Sequence, residues 1–151
     1  MHKKFRNIVT SFIITTLFFI STSVLAENSE QFGDYVIHYN AFRSDTLEPE
    51  IAKSYNLTRR NNRAIVNIAI LKKVMNTTGK PVAAEVTGHA SNLTGQLKKL
   101  EFREITEGNA IYYLAETKIS DGEFLKFELK ITPEGEQQPA RLKFDKRFFT
   151  H

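Results

Sequence analysis

From Val82 onwards apolar and polar residues alternate along the chain. Val82, Ala84, Val86 and Gly88 interleave with Ala83, Glu85, Thr87 and His89. Leu125, Phe127, Leu129 and Ile131 interleave with Lys126, Glu128 and Lys130, and Leu142 and Phe144 alternate with Arg141, Lys143 and Asp145. Successive side chains of a strand point to opposite faces, so each segment predicts a strand with one face in a core and one in water. Leu100 and Phe102 alternate with Glu101 and Arg103, and Ala110 to Ile119 is strand-like. Tyr35, Ile37 and Tyr39 share one face of an earlier alternating segment that ends at Asn40. Ala64 to Leu71 is nearly continuous in apolar residues, broken only by Asn67, and reads as a central strand covered on both faces. Turn residues separate these runs at Asn76–Pro81, Thr94-Gly95, Glu107–Asn109, Ser120–Gly122 and Pro133–Pro139. Glu27 to Gln31 is polar and is expected to fray.

One segment has helical spacing. Leu47, Ile51 and Tyr55 recur every four residues and form an apolar stripe. Ser44, Asp45 and Thr46 offer capping oxygens ahead of it, Pro49 suits a first helical turn, and Asn56 is a plausible end. A helix of about two turns is not stable alone, so the stripe is expected to dock it on the core.

The pattern predicts an all-β domain of about seven antiparallel strands, with one short helix between the first two. Crossover helices that a parallel sheet needs are missing. The expected architecture is an immunoglobulin-like β-sandwich, with a small barrel as the alternative.

The N-terminus carries a different pattern. Lys3, Lys4 and Arg6 precede an apolar stretch densest from Phe12 to Ile20, then Ser21, Thr22, Ser23 and a closing Val24-Leu25-Ala26. This is the order of a secretory signal peptide. Residues 1–26 are therefore read as a cleaved signal and 27–151 as a single β-sandwich domain, exported to the periplasm with no membrane insertion after cleavage. Composition then changes meaning. The chain has 21 Lys and Arg against 17 Asp and Glu, and with Lys3, Lys4 and Arg6 removed the domain holds 18 against 17. So balanced a charge gives no nucleic-acid footprint. There is no cysteine. That closes both a disulfide scaffold and a lipid anchor on cysteine, and a domain of this size can fold without either.

Three stretches resemble a known family: Gly33 to Phe42, Leu47 to Ala52, and Arg60 followed by Val66-Asn67-Ile68. The family comprises small, signal-bearing proteobacterial proteins known only as a domain of unknown function. The resemblance implies a periplasmic setting and an all-β domain. It implies no activity, so no functional residue is carried over.

The residues that could carry chemistry are few. His38, beside Tyr39 and Asn40, reads first as a half-buried structural histidine and second as a ligand-contacting or acid–base group. Arg59, Arg60 and Arg63 lie with Asn61 and Asn62 in a basic loop. Guanidinium forks suit carboxylate or phosphate, and the plainer reading is a solvated loop or pairs with Glu48 and Glu50. Asn67 is the polar residue inside the most apolar strand, and its amide needs partners there. The expected role is tying that strand to a loop; ligand contact is the second reading. No Gly-x-Ser-x-Gly, no phosphate loop and no His-x-x-x-His occurs. No catalytic residue, metal or cofactor is assigned.

Two functions remain. The first is a non-enzymatic periplasmic module that binds a periplasmic or envelope protein. The second is a small-molecule-binding or hydrolytic protein with a site near the Arg59–Arg63 loop, with His38, Tyr39, Arg59 and Arg60 as candidates and Asn67 as a further ligand-contact candidate. Convergence of those side chains on one concavity decides between them.

Overall fold

The computed structural model describes residues 28–151, so the expected signal peptide, residues 1–26, lies outside the described residues. Ten strands and one α-helix follow in chain order: β1 (Asn28–Phe32), β2 (Tyr35–Arg43), α1 (Pro49–Ser54), β3 (Arg63–Lys72), β4 (Lys80–Pro81), β5 (Ala84–Asn92), β6 (Leu97–Leu100), β7 (Arg103–Glu107), β8 (Ala110–Lys118), β9 (Phe124–Pro133) and β10 (Ala140–Arg147). A 3-10 turn, Ser44–Thr46, precedes α1. A six-stranded sheet runs in the order β1-β2-β3-β8-β7, with β4 added to β3, and a four-stranded sheet runs β10-β9-β5-β6. Every pairing is antiparallel.

The expected count of seven strands is corrected to ten. β1 was expected to fray. All five of its residues are exposed, and backbone pairing to β2 holds it rather than an apolar face. Gly33, at φ +54°, occupies the first central position of the two-residue turn into β2, where primed hairpin turns favour glycine. β4 lies inside an expected turn. The single strand expected around Leu100 to Arg103 is two, because the chain crosses between sheets there: β6 pairs with β5 and β7 with β8. Leu100 and Phe102 still both meet the core, from either side of the crossing. With β1 present, the helix falls between the second and third strands, not the first two.

The core lies between the two sheets. Ile37, Ala41, Val66, Ile68 and Tyr113 from one sheet meet Val86, Ala90, Leu125, Phe127, Leu129, Ile131 and Leu142 from the other. Each fully buried large side chain there stabilises the fold by roughly 1.5–3 kcal/mol. Tyr39 and Phe127 flank Phe144 with ring centroids 4.7 Å away in each case, the second pair stacked. Gly88 marks a close approach inside the smaller sheet, since a Cβ there would collide with the Glu128 carbonyl oxygen. Tyr113 ties the sheets together. Its hydroxyl accepts from the Ala84 N–H at 2.7 Å and donates to Glu104 Oε2 at 2.8 Å. Burial, ahead of the smaller opposing effect of the Ala84 bond, pushes this phenol up to about 12.

β3 is covered on both faces, as its apolar run predicts. Val66, Ile68 and Ile70 join the inter-sheet core, while Ile65 joins Ala52, Leu57 and Leu114 in a second cluster on the outer side. That second cluster positions the candidate site.

Candidate functional site

α1 lies on the outer face of the six-stranded sheet. Pro49 opens it, as expected. The expected caps do not form: Glu48 occupies the N-cap position and no side chain caps it. Ser44 is instead fully buried, its Oγ donating to the Arg60 carbonyl and accepting from the Arg60 N–H at 3.0 and 2.9 Å. Asn56 follows the helix at φ +51°, the left-handed conformation common just past a helix end.

The stripe of Leu47, Ile51 and Tyr55 docks only in part: Leu47 and Tyr55 are half-buried against the outer-face cluster, and Ile51 is not. Ala52 and Leu57 are buried against Ile65 and Leu114, and Ile51 is 42% exposed. Within the six-residue helix Ala52 is the one buried residue, and Leu47 before it and Tyr55 after it add partly buried contacts. Between the stripe and the sheet lies a slot of about 160 Å³, walled by Leu47, Ile51, Tyr55, Phe42, Ile105 and Tyr112. Tyr55 donates its hydroxyl proton to Glu107 Oε2 at 2.6 Å across the rim. That bond, and then burial, raises the phenol above its ordinary range.

Asn67 lines this slot, and its Oδ1 is buried with no hydrogen-bond partner among the described residues. Asn67 sits between Asn40 and Leu114 in register, with the apolar Ile65 and Ala69 on the same face of its strand. A buried amide oxygen left without a donor costs about 1–3 kcal/mol. Beside the slot a hollow of about 470 Å³ is bounded by His38, Ala69, Leu71, Thr78, Pro81 and Tyr112. Tyr112 borders both.

The expected site residues therefore separate. His38 and Asn67 share the outer face. Tyr39, one residue on, points the other way and packs on Phe144 at the edge of the core, where both rings are half-buried. Arg59 is engaged by backbone: its guanidinium donates to the carbonyls of Leu47 at 2.7 Å and Asp45 at 3.0 Å. Arg60 is exposed and joins Ser44 through backbone atoms only. Arg63 pairs with Glu116 at 3.6 Å. The partners expected for this loop, Glu48 and Glu50, are replaced by carbonyls and by Glu116. Sequence reasoning missed Tyr112, Ile105 and Leu114. A signal existed: Tyr112 and Leu114 face outward while Tyr113 and Ala115 face the core, so β8 is apolar on both faces just as β3 is.

Among the described residues no group of three or more His, Cys, Asp or Glu side chains could share a metal ion. No helix among them is long and apolar enough to cross a membrane.

The model of a family described as a domain of unknown function, DUF4426, matches residues 29–151. The crystal structure of a DUF4426 family protein from Pseudomonas aeruginosa is 39% identical, with a TM-score of 0.71, over 82% of this chain and 94% of that one. FetP of uropathogenic Escherichia coli, expressed recombinantly in the periplasm, is 11% identical with a TM-score of 0.58 over 82% and 93% of the two chains. A copper-bound variant of FetP gives 12% identity and a TM-score of 0.59 over 82% and 95%. At such identities the likeness to FetP is one of fold. No curated protein matches the chain.

Proposed function

The chain belongs to the DUF4426 family, and on that premise we propose that it is a non-enzymatic periplasmic binding module whose outer-face slot receives an apolar side chain of a partner polypeptide. The carrying observation is Asn67 Oδ1, a buried acceptor without a donor among the described residues, in a mostly apolar slot with Glu107 at its rim. Native folds seldom leave such a group, and an incoming N–H beside an apolar side chain would supply what it lacks. The volume of about 160 Å³ suits one side chain, whereas small-molecule sites run to roughly 300–1,000 Å³.

The hydrolytic reading needed His38, Tyr39, Arg59 and Arg60 around one concavity. The packing of the Tyr39 ring on Phe144 and the engagement of Arg59 by two carbonyls weigh against it. An immunoglobulin-type scaffold is favoured by strand order, because β2-β3-β8-β7 and β10-β9-β5-β6 follow the A-B-E-D and G-F-C-C′ orders. The periplasmic address rests on the basic, apolar and small-residue order of residues 1–26. Intact-mass measurement of the exported protein checks it: a chain starting near Glu27 is expected, and a membrane-bound species retaining residues 1–26 would overturn it.

The slot is tested by titrating the domain with N-acetyl-leucinamide, followed by methyl NMR. Shifts should be confined to Leu47, Ile51, Leu57, Ile65, Ile105 and Leu114. Asn67→Leu should weaken the interaction at least tenfold. Shifts scattered over the domain, or an unchanged affinity in the variant, would remove the slot as the site.

A further inference from the structure

The outer face of the four-stranded sheet carries a concavity of its own, of about 420 Å³. Register fixes what lines it. Arg141 lies opposite Lys130, and Lys130 opposite Thr87, giving one row across β10, β9 and β5. The next row runs Lys143, Glu128, His89 and Lys99. Of the 18 basic and 17 acidic side chains after residue 26, four basic and one acidic line this trough. The rest of the domain is thereby left with two more acidic than basic groups.

Two of the four cations already face carboxylates. Lys143 reaches Glu128 at 3.2 Å and Lys99 reaches Glu101 at 3.3 Å. Arg141 and Lys130 have no ion pair among the described residues, although they are direct cross-strand neighbours. Like charges directly opposite on a sheet destabilise it. Cross-strand pairing therefore gains nothing from this pair beyond the charge that an edge strand such as β10 tolerates, and the slightly acidic remainder of the domain makes it a local feature.

The geometry points to a phosphate-binding trough, in which Arg141 and Lys130 hold a phosphate-ester group with the Thr87 hydroxyl beside it. Two uncompensated positive charges match a phosphomonoester, which carries about −1.5 to −2 at neutral pH, better than a single carboxylate. The guanidinium fork of Arg141 presents paired donors to phosphate oxygens, and Lys130 adds a point charge next to it. The group could belong to a free phosphomonoester or to a lipid whose headgroup is one, phosphatidic acid, since the chemistry is shared. This site is independent of the slot, which lies on the opposite outer face.

Inorganic phosphate titrated at constant ionic strength should saturate and should shift the Arg141 and Lys130 side-chain NMR signals. Acetate at the same ionic strength should not. Phosphatidic acid vesicles that sediment the domain, where phosphatidylglycerol vesicles of equal surface charge do not, would assign the lipid source; saturable phosphate binding without sedimentation would assign the free one. The double variant Lys130→Gln, Arg141→Gln should melt no lower than the parent and lose at least tenfold in phosphate affinity. The single variant Lys130→Ala should lose part of it, which keeps the test usable if the double variant fails to fold. An equal response to acetate, no saturable response to phosphate or vesicles, or unchanged affinity in the variants would overturn the proposal.

Discussion

Ala52 and Ile51 are neighbours on α1 with opposite fates, and the difference sets what each tolerates. Ala52 is 2% exposed against Ile65 and Leu114, whereas Ile51 is 42% exposed at the slot. Ala52→Asp would bury an unpaired charge and should cost about 2–4 kcal/mol. Ile51→Asp should cost no more than about 1 kcal/mol, because its carboxylate can reach water. Chemical denaturation of both variants checks the pair, and equal midpoints would mean that α1 is seated differently. Arg59 and Arg60 divide in the same way. Arg59→Ala removes two charge-assisted bonds to the carbonyls of Leu47 and Asp45 at an exposed site, and about 1 kcal/mol should be lost. Arg60→Ala should stay within about 0.5 kcal/mol. Thermal melts separate them. Asn67→Leu should go the other way and stabilise the domain by up to about 1 kcal/mol, since it replaces a buried acceptor that has no donor. A stabilising change that abolishes binding would mark Asn67 as kept for function.

At the level of elements, the Ser120–Glu123 turn between β8 and β9 is held by one carboxylate. Lys98 Nζ on β6 donates to Glu123 Oε1 at 2.6 Å and to the Lys118 carbonyl at 2.8 Å, and the Ser120 N–H donates to Glu123 Oε2 at 2.8 Å. Burial alone would push Glu123 up. The bonds from Lys98, Ser120 and Asn92 together with the Lys98 charge outweigh it and hold the carboxyl below its ordinary value. A depressed folded-state pKa contributes stability that is full above the unfolded value and is lost as pH falls through the folded one. Glu123→Gln should therefore cost about 1–3 kcal/mol near neutral pH, and less below the ordinary glutamate range. Melting both proteins across acid pH checks this, and a constant difference would mean that Glu123 does not titrate with folding.

Strands that bury an apolar face were legible in sequence, because β3, β5, β9 and β10 write that face as alternation or as a continuous run. β1 and β4 were not, because strands held by backbone pairing leave no apolar signature in NSEQF or in a Lys-Pro pair. The crossing from β6 to β7 was hidden because Leu100 and Phe102 both point to one core from two sheets. The slot was half legible: Asn67 stood out as polar in an apolar strand, while Tyr112 and Ile105 were visible only as outward-facing apolar residues with no stated partner.

The whole molecule presents two unlike outer faces on one shared core. The six-stranded sheet carries an apolar slot and hollow, and the four-stranded sheet carries a cationic trough. Two packed sheets lie roughly 10 Å apart between backbones, so side chains on opposite outer faces are separated by more than that and share no neighbour. Perturbations at such distances add within about 0.3–0.5 kcal/mol. The triple variant Asn67→Leu, Lys130→Gln, Arg141→Gln should thus show a stability change equal to the sum of its parts. It should lose the leucinamide and phosphate responses independently, each by the factor seen in its own variant. Denaturation midpoints and the two titrations check this together. A deviation above about 1 kcal/mol, or a phosphate response altered by Asn67→Leu alone, would mean that the core couples the two faces. The molecule would then be a two-site device and not a rigid scaffold with separate surfaces.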